Sequence, residues 1–354
     1  MIYKRAVWTT SILTAFFVTA VSGKIRSLKP SIPLRPVAIK NLAYSPTGNY
    51  FSVPNFVTAG SVGVFAVSES GQIASVPSRY SEKNFSRISG VYYLIGREQD
   101  DPEMVFVPLP ELLSGYSVSF APHGDTLAIA GGDNIYIYAT DTWKNIRTIT
   151  ISQNTTRCVF SPNGSLLAAV SDGKVYVLDR QTGSVLYTIK PEKNHKFTDL
   201  AFTENSEKVA VYEYQDLTMD YGSRVKIFTT ADGSFDRQFP YFKDKPASPP
   251  GKHFPLISYS SKDTAIAVNI EKPVFGKVLL IKSNDGDLIR EFKGNFHSFS
   301  DNKTFFVTGN RIYSSDTWKS LGKISSSALC AAFSPTERVL IVVTPESLKR
   351  YKID

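Results

Sequence analysis

Cysteine, methionine, tryptophan and histidine are all scarce in this chain, at two, three, three and four residues among 354. Two cysteines cannot build the disulfide framework that holds small secreted domains together. The four histidines, His123, His195, His253 and His297, stand far apart, and no pair has the spacing of a zinc site. A Gly-x-Ser-x-Gly nucleophile elbow is missing, which argues against a peptidase or esterase built on it. No Asp-x-Asp-x-Asp-Gly calcium loop is present, and Asp100-Asp101-Pro102-Glu103 reads as a solvated acidic turn. Beyond residue 22 no apolar run has the length of a membrane-spanning helix. Runs of like charge are absent too: the net charge is +8, but the basic residues are dispersed along the chain. That balance fits a mildly basic solvated surface and, outside the cytosol, an acidic partner; nucleic acid is not expected.

Residues 1–22 differ from everything that follows. Lys4 and Arg5 precede an apolar run from Ala6 to Val21 that closes on Ala20-Val21-Ser22, small residues where a signal peptidase inspects the chain. A secretory signal peptide cleaved before Gly23 is expected, followed by one domain over 23–354, so the protein should be periplasmic or extracellular. The alternative is an uncleaved anchor over residues 6–22 facing outside the cytoplasm, which the threonines of the run disfavour. Asn84, Asn154, Asn163 and Asn302 head Asn-x-Ser/Thr triplets, acceptors for glycan only in a eukaryotic secretory route.

Aromatic residues are plentiful by contrast, with 18 Tyr and 23 Phe, and every apolar segment is short and bounded by turn formers. That is an all-β profile. The stretch from Phe160 to Ile189 reads as one sheet: a strand ending at Phe160, the turn Ser161-Pro162-Asn163-Gly164, and the strands Leu166–Val170, Val175–Leu178 and Val185–Ile189. Its opening phrase returns at Tyr44, Phe120, Phe202, Tyr259, Phe299 and Phe333, at intervals of 76, 40, 42, 57, 40 and 34 residues. The first interval is nearly two units, so a degenerate unit is expected near 85–113. Strands such as Leu166–Val170 and Val278–Ile281 are apolar without alternation, which requires that both faces of each sheet be buried. Cys158 and Cys330 fall on the first strands of distant units, so no disulfide is expected.

A period near 40 residues with four strands per unit resembles that of WD-repeat and related quinoprotein-like β-propellers, over about residues 37–354. The Phe-Ser-Pro-x-Gly phrase is similar to that of bacterial members. The Gly-His pair and Trp-Asp dipeptide of the eukaryotic pattern are absent, so the hydrogen-bond network of that family is not carried over. The resemblance implies a single ring of four-stranded antiparallel blades, eight by count, with seven as the alternative if 77–116 is irregular. The last unit offers only three strands, and Ile25–Leu34 is the expected donor of the fourth. Pro30 and Pro33 suit an outermost edge strand.

In such a meander the loop between strands two and three leaves at the same end as the connection to the next unit. Four insertions fall at that end: 96–103, 213–223, 271–276 and 240–255. Three of them gather Tyr212, Tyr214, Tyr221, Tyr241, Phe242, His253, Phe254 and Phe275 with Lys243, Lys245, Lys252 and Lys272. Exposed aromatic rings with flexible cations suit recognition of an acidic protein surface; the competing reading folds these rings back onto the rim. No cofactor, metal or catalytic set is expected. The alternative function, a carbohydrate-active or quinone-dependent enzyme with its site in the central channel, requires polar innermost strands. Here those strands read Asn41-Leu42-Ala43, Val118-Ser119, Cys158-Val159, Leu200-Ala201 and Ala331-Ala332, small and apolar, which favours the binding platform.

Overall fold

The computed structural model describes residues 25–33, 43–44, 51–54, 64–67, 72–75, 79–80, 87–95 and 103–109, and all from 117 onward except 123, 216–222, 240–256, 271–275, 295, 300–303, 327–329, 334–338, 345–346 and 354. The chain is all-β. Five successive segments, 117–150, 155–189, 195–238, 257–293 and 296–323, each fold into a four-stranded antiparallel meander. A sixth four-stranded sheet joins Cys330–Phe333, Val339–Val343 and Ser347–Ile353 to Ile25–Pro33 at its outer edge. That last pairing runs from Ile25 opposite Ile353 to Pro33 opposite Ser347, with a register shift between Leu28 and Ile32 that spans Pro30. These sheets are consistent with a β-propeller.

The recurring aromatic residues mark the sheets in register. Tyr44, Phe120, Phe160, Phe202, Tyr259, Phe299 and Phe333 each end the first strand of a sheet. In three of the sheets the residue that follows closes the first turn through its hydroxyl: Ser161 Oγ accepts the Leu166 N–H at 2.9 Å, Thr203 Oγ1 that of Lys208 at 2.9 Å, and Ser260 Oγ that of Ala265 at 2.9 Å. The serine of the repeated phrase thus satisfies a backbone donor that the turn would otherwise leave unpaired.

The region from 43 to 109 departs from the expected separate unit. Arg87–Ile95 pairs with Glu103–Leu109, but it also pairs with Gln72–Ser75, which puts these strands in one seven-stranded sheet with those from Ala43 onward. Among the described residues no further four-stranded sheet stands at 85–113.

Packing is face to face, as the unbroken apolar strands demand. One core cluster joins Ala128 and Ile135 of the 117–150 sheet to Cys158 and Leu167 of the next. Another joins Val170 and Val177 to Phe197 and Val209, and a third joins Tyr212 and Val225 to Ile257 and Ile266. The pattern continues through Leu280 with Phe306, and Val307 with Leu340. First strands lie against one another in chain order from Ser117–Phe120 to Ile257–Tyr259, and fourth strands form the outside. Ala43–Tyr44 touches both Ser117–Phe120 and Cys330–Phe333.

At the tight-turn end the sheets are also latched by side chains of the fourth strands. Arg147 Nη1 donates to the Gln181 carbonyl at 2.7 Å, Tyr187 Oη to Thr230 at 2.6 Å, Arg237 Nη1 to Asn284 at 2.7 Å and Arg290 Nη1 to Trp318 at 2.8 Å. Two residues beyond the latches of Tyr187, Arg237 and Arg290, the side chains of Ile189, Phe239 and Phe292 are buried, and Ile149 beyond Arg147 is partly buried. Each such hydrogen bond contributes about 0.5–1.5 kcal/mol, against about 1.5–3 kcal/mol for a large buried apolar side chain. Packing therefore dominates, and the latch orients. Gly322 occupies the latch position before the 330–353 sheet, which has no turn between its third and fourth strands to receive one.

Candidate functional site

The two ends of the sheets differ in chemistry. At the tight-turn end, carboxylates sit inside the turns: Asp179 Oδ1 accepts the Thr182 N–H at 2.6 Å, and Asp232 Oδ1 accepts the Thr229 hydroxyl at 2.6 Å and the Ser234 N–H at 2.9 Å. The Thr182 amide lowers the Asp179 pKa, and the Thr229 hydroxyl brings that of Asp232 down to about 2. Several cations there are paired with carboxylates, among them Arg180–Asp125 at 2.6 Å, Lys208–Asp236 at 2.9 Å and Lys282–Asp287 at 3.2 Å.

The connection end is more basic. Lys190, Lys293 and Lys323 are exposed where fourth strands leave the sheets, Lys193 is exposed on the segment leading into the 195–238 sheet, and Lys196 is exposed at the start of its first strand. Two of the carboxylates at that end are paired, Asp172 with Lys174 at 3.3 Å and Glu291 with Lys277 at 3.3 Å. Lysines of separate sheets thus share one end. Backbone bonds fix both kinds of loop at this end: the Phe197 N–H donates to Gly173 O at 2.9 Å and the Thr155 N–H to Gly132 O at 2.7 Å.

The hairpin of the 195–238 sheet carries the most elaborate part of this end. Its strands, Lys208–Gln215 and Ser223–Thr229, leave 216–222 as the loop. Tyr214 lies in the first of them, half-buried and opposite Ser223. Tyr221, Tyr241, Phe242, Lys243, Lys245, Lys252, His253, Phe254, Lys272 and Phe275 lie outside the described residues. Two expectations are corrected here. Tyr212 is a core residue, 1% exposed, and Glu213 is a strand residue rather than the start of a loop. Glu213 is fully buried and is paired with Arg224, which donates through Nε, and with Lys226, whose Nζ lies at 3.1 Å. Glu192, on the connection from the preceding sheet, closes the group, 2.7 Å from Arg224 and 2.8 Å from Lys226. Hydrogen bonds from Lys226 and then Arg224 hold the Glu192 carboxyl down at about 2.

The innermost strands also carry charge that the expectation of small apolar residues passed over. Arg157 Nε lies 2.7 Å from Asp199 Oδ1 in the next sheet, and the Asp199 side chain is 4% exposed. Asp199 also accepts the Leu200 N–H at 2.8 Å and, at 3.3 Å, the Ile257 N–H of the sheet after that. It therefore ties three successive first strands. Ser117 and Ser119 perform the same service one sheet earlier, accepting the N–H groups of Cys158 at 3.2 Å and Phe160 at 3.1 Å. Cys158 is fully buried, without a disulfide, and burial pushes its thiol up to about 12. Trp143 and Trp318 occupy tight turns with positive φ; Trp143 is buried, and Trp318 meets Phe306 edge-on with ring centroids 5.5 Å apart. Among the described residues, no cluster of His, Cys, Asp and Glu could hold a metal, and no helix is long and apolar enough to cross a membrane.

A family model described as WD40, WD domain, G-beta repeat, matches residues 143–179. The matched segment takes in the fourth strand of one sheet and the first three of the next, so the sequence repeat is offset from the structural sheet by one strand. No curated protein matches the chain. The match and the four-stranded antiparallel sheets together fit a WD-like β-propeller, a fold often used for protein interaction.

Proposed function

We propose that the protein is an exported, non-enzymatic β-propeller that holds another protein, one with an acidic surface, on its connection end. The observation that carries this reading is the presence of exposed Lys190, Lys193, Lys196, Lys293 and Lys323 at that end. A surplus of one sign on one surface steers a partner of the other sign and fixes its orientation. The aromatic residues Tyr214, Tyr221, Tyr241, Phe242, Phe254 and Phe275, with His253, Lys243, Lys245, Lys252 and Lys272, supply the specific contacts. Export rests on Lys4, Arg5 and the apolar run to Val21, with cleavage before Gly23. The ring has seven blades, and Ile25–Pro33 closes it as the outer strand of the last. Support comes from the pairing of that strand with Ser347–Ile353, from Ala43–Tyr44 touching the first strands on both sides, and from Gly322 at the unlatched seam.

The test is co-purification from the native host, read by mass spectrometry, with a variant shortened in 216–222 and 240–254. Glu213 is left in place because it is buried structure. Loss of the partner from a variant that keeps its circular dichroism spectrum is expected. Full recovery of the partner by that folded variant overturns the reading.

A further inference from the structure

The charged group on the hairpin strands Lys208–Gln215 and Ser223–Thr229 is asymmetric in a way that simple stabilisation does not require. Arg224 and Lys226 have side chains only 6% exposed, and Glu213 beside them is fully buried, which leaves one positive charge in excess inside the protein. A buried cation without a counter-charge is strongly unfavourable. The missing negative charge is brought from outside the sheet by Glu192, whose side chain is 57% exposed. Each of its two carboxylate oxygens takes one cation, Oε2 at 2.7 Å from Arg224 and Oε1 at 2.8 Å from Lys226. Lys226 Nζ donates a hydrogen bond to this carboxylate and the Arg224 guanidinium lies at ion-pair distance, so the site presents a two-cation seat to one carboxylate arriving from solvent.

The surroundings of Glu192 are those of a docking point. It stands between Lys190 and Lys193, with Lys196 three residues further on, and all three are exposed. An acidic segment drawn to these lysines arrives where a solvent-exposed carboxylate already occupies a two-pronged cationic seat. Exchanging one carboxylate for another keeps the buried charge balanced throughout, whereas a neutral or basic residue in that place would not.

We propose that Arg224 and Lys226 form a carboxylate-receiving site, held by Glu192 when no partner is present and yielded to an aspartate or glutamate of an acidic partner segment. The proposal rests on the connection end being the docking surface, and it names the residues that receive the partner there. Glu192 then acts as an internal competitor that sets how acidic a segment must be to bind.

The test is binding of a pentaglutamate peptide to the full chain, measured by calorimetry at low and moderate salt, with pentaglutamine as control. Glu192→Gln, which vacates the seat, should tighten pentaglutamate binding about tenfold, the scale of one charge-assisted contact. Asp172→Asn removes the same charge from the same end without touching the seat, and should change affinity less than about twofold. Equal gains in the two variants, or no gain in folded Glu192→Gln, overturn the exchange. A third variant, Lys190→Gln with Lys193→Gln and Lys196→Gln, separates the two levels. If it loses peptide binding while Glu192→Gln gains nothing, the exchange fails and the docking surface stands; if it binds as the wild type does, the docking surface fails as well.

Discussion

The tight-turn end and the connection end are made from the same strands, yet one repeats and the other does not. At the turn end the same device recurs in sheet after sheet: a hydroxyl closing the first turn, a carboxylate or hydroxyl holding the second, and a fourth-strand side chain latching onto the next sheet. At the connection end the short turns 131–134 and 171–174 stand beside a longer hairpin that roots a four-membered charge group. Repetition of this kind reports packing geometry, which is the same problem at every junction. Among the described residues, departure from it comes where the 155–189 sheet leads into the 195–238 sheet, with charge placed inside, and reports something particular to this protein.

The largest effect is expected from the irregular end. Glu213→Ala leaves Arg224 and Lys226 buried with Glu192 alone, and should cost about 3–5 kcal/mol in chemical denaturation. A loss below about 1 kcal/mol would mean that the group is hydrated and not buried structure. At the regular end, Gly286 has φ +80° and its missing Cβ faces the Phe239 ring. Gly286→Ala combines backbone strain with overpacking and should cost about 1–3 kcal/mol. Arg237→Ala removes a single latch, the 2.7 Å bond to Asn284 O, and should cost about 0.5–1.5 kcal/mol by the same denaturation measurement.

The smallest and most discriminating effect is in pH. The Glu192 carboxyl is lowered from 4.5 to about 2 on folding. A group whose pKa falls on folding contributes stability above its unfolded value and loses it as pH falls through the folded one. The stability gap between wild type and Glu192→Gln should therefore be full above pH 4.5 and shrink steadily towards pH 2. A gap that stays constant over that window would place Glu192 outside the ion pairs.

Much of the regular end was legible in the sequence, because it is local. A Phe-Ser-Pro-x-Gly phrase describes one strand end and one turn, and the aromatic residue proved to end the first strand in all seven places. Trp143 and Trp318, in the near-identical stretches Asp141-Thr142-Trp143-Lys144 and Asp316-Thr317-Trp318-Lys319, take equivalent turn positions. The irregular end was less legible because its signals are not local. Arg224-Val225-Lys226-Ile227 has the alternation of a half-exposed strand, and nothing in it announces that Glu192 and Glu213 cover both cations. Arg157 and Asp199 lie 42 residues apart in sequence and meet only because their sheets are neighbours. Lysines that look scattered along the chain share one end because every fourth strand leaves its sheet there. The 76-residue interval from Tyr44 to Phe120, nearly two repeats, predicts a unit at 85–113, while pairing of Arg87–Ile95 with Gln72–Ser75 joins it to the sheet before it.

The claim that the connection end is where a partner sits is tested most directly by reversing charge at each end in turn. Lys190→Glu, Lys193→Glu and Lys323→Glu together alter the connection end; Lys144→Glu, Lys262→Glu and Lys319→Glu alter the turn end by the same amount. Affinity for the partner recovered from the native host should fall by about tenfold or more in the first triple variant and by less than about twofold in the second. Equal losses in the two, or the larger loss at the turn end, would contradict the account.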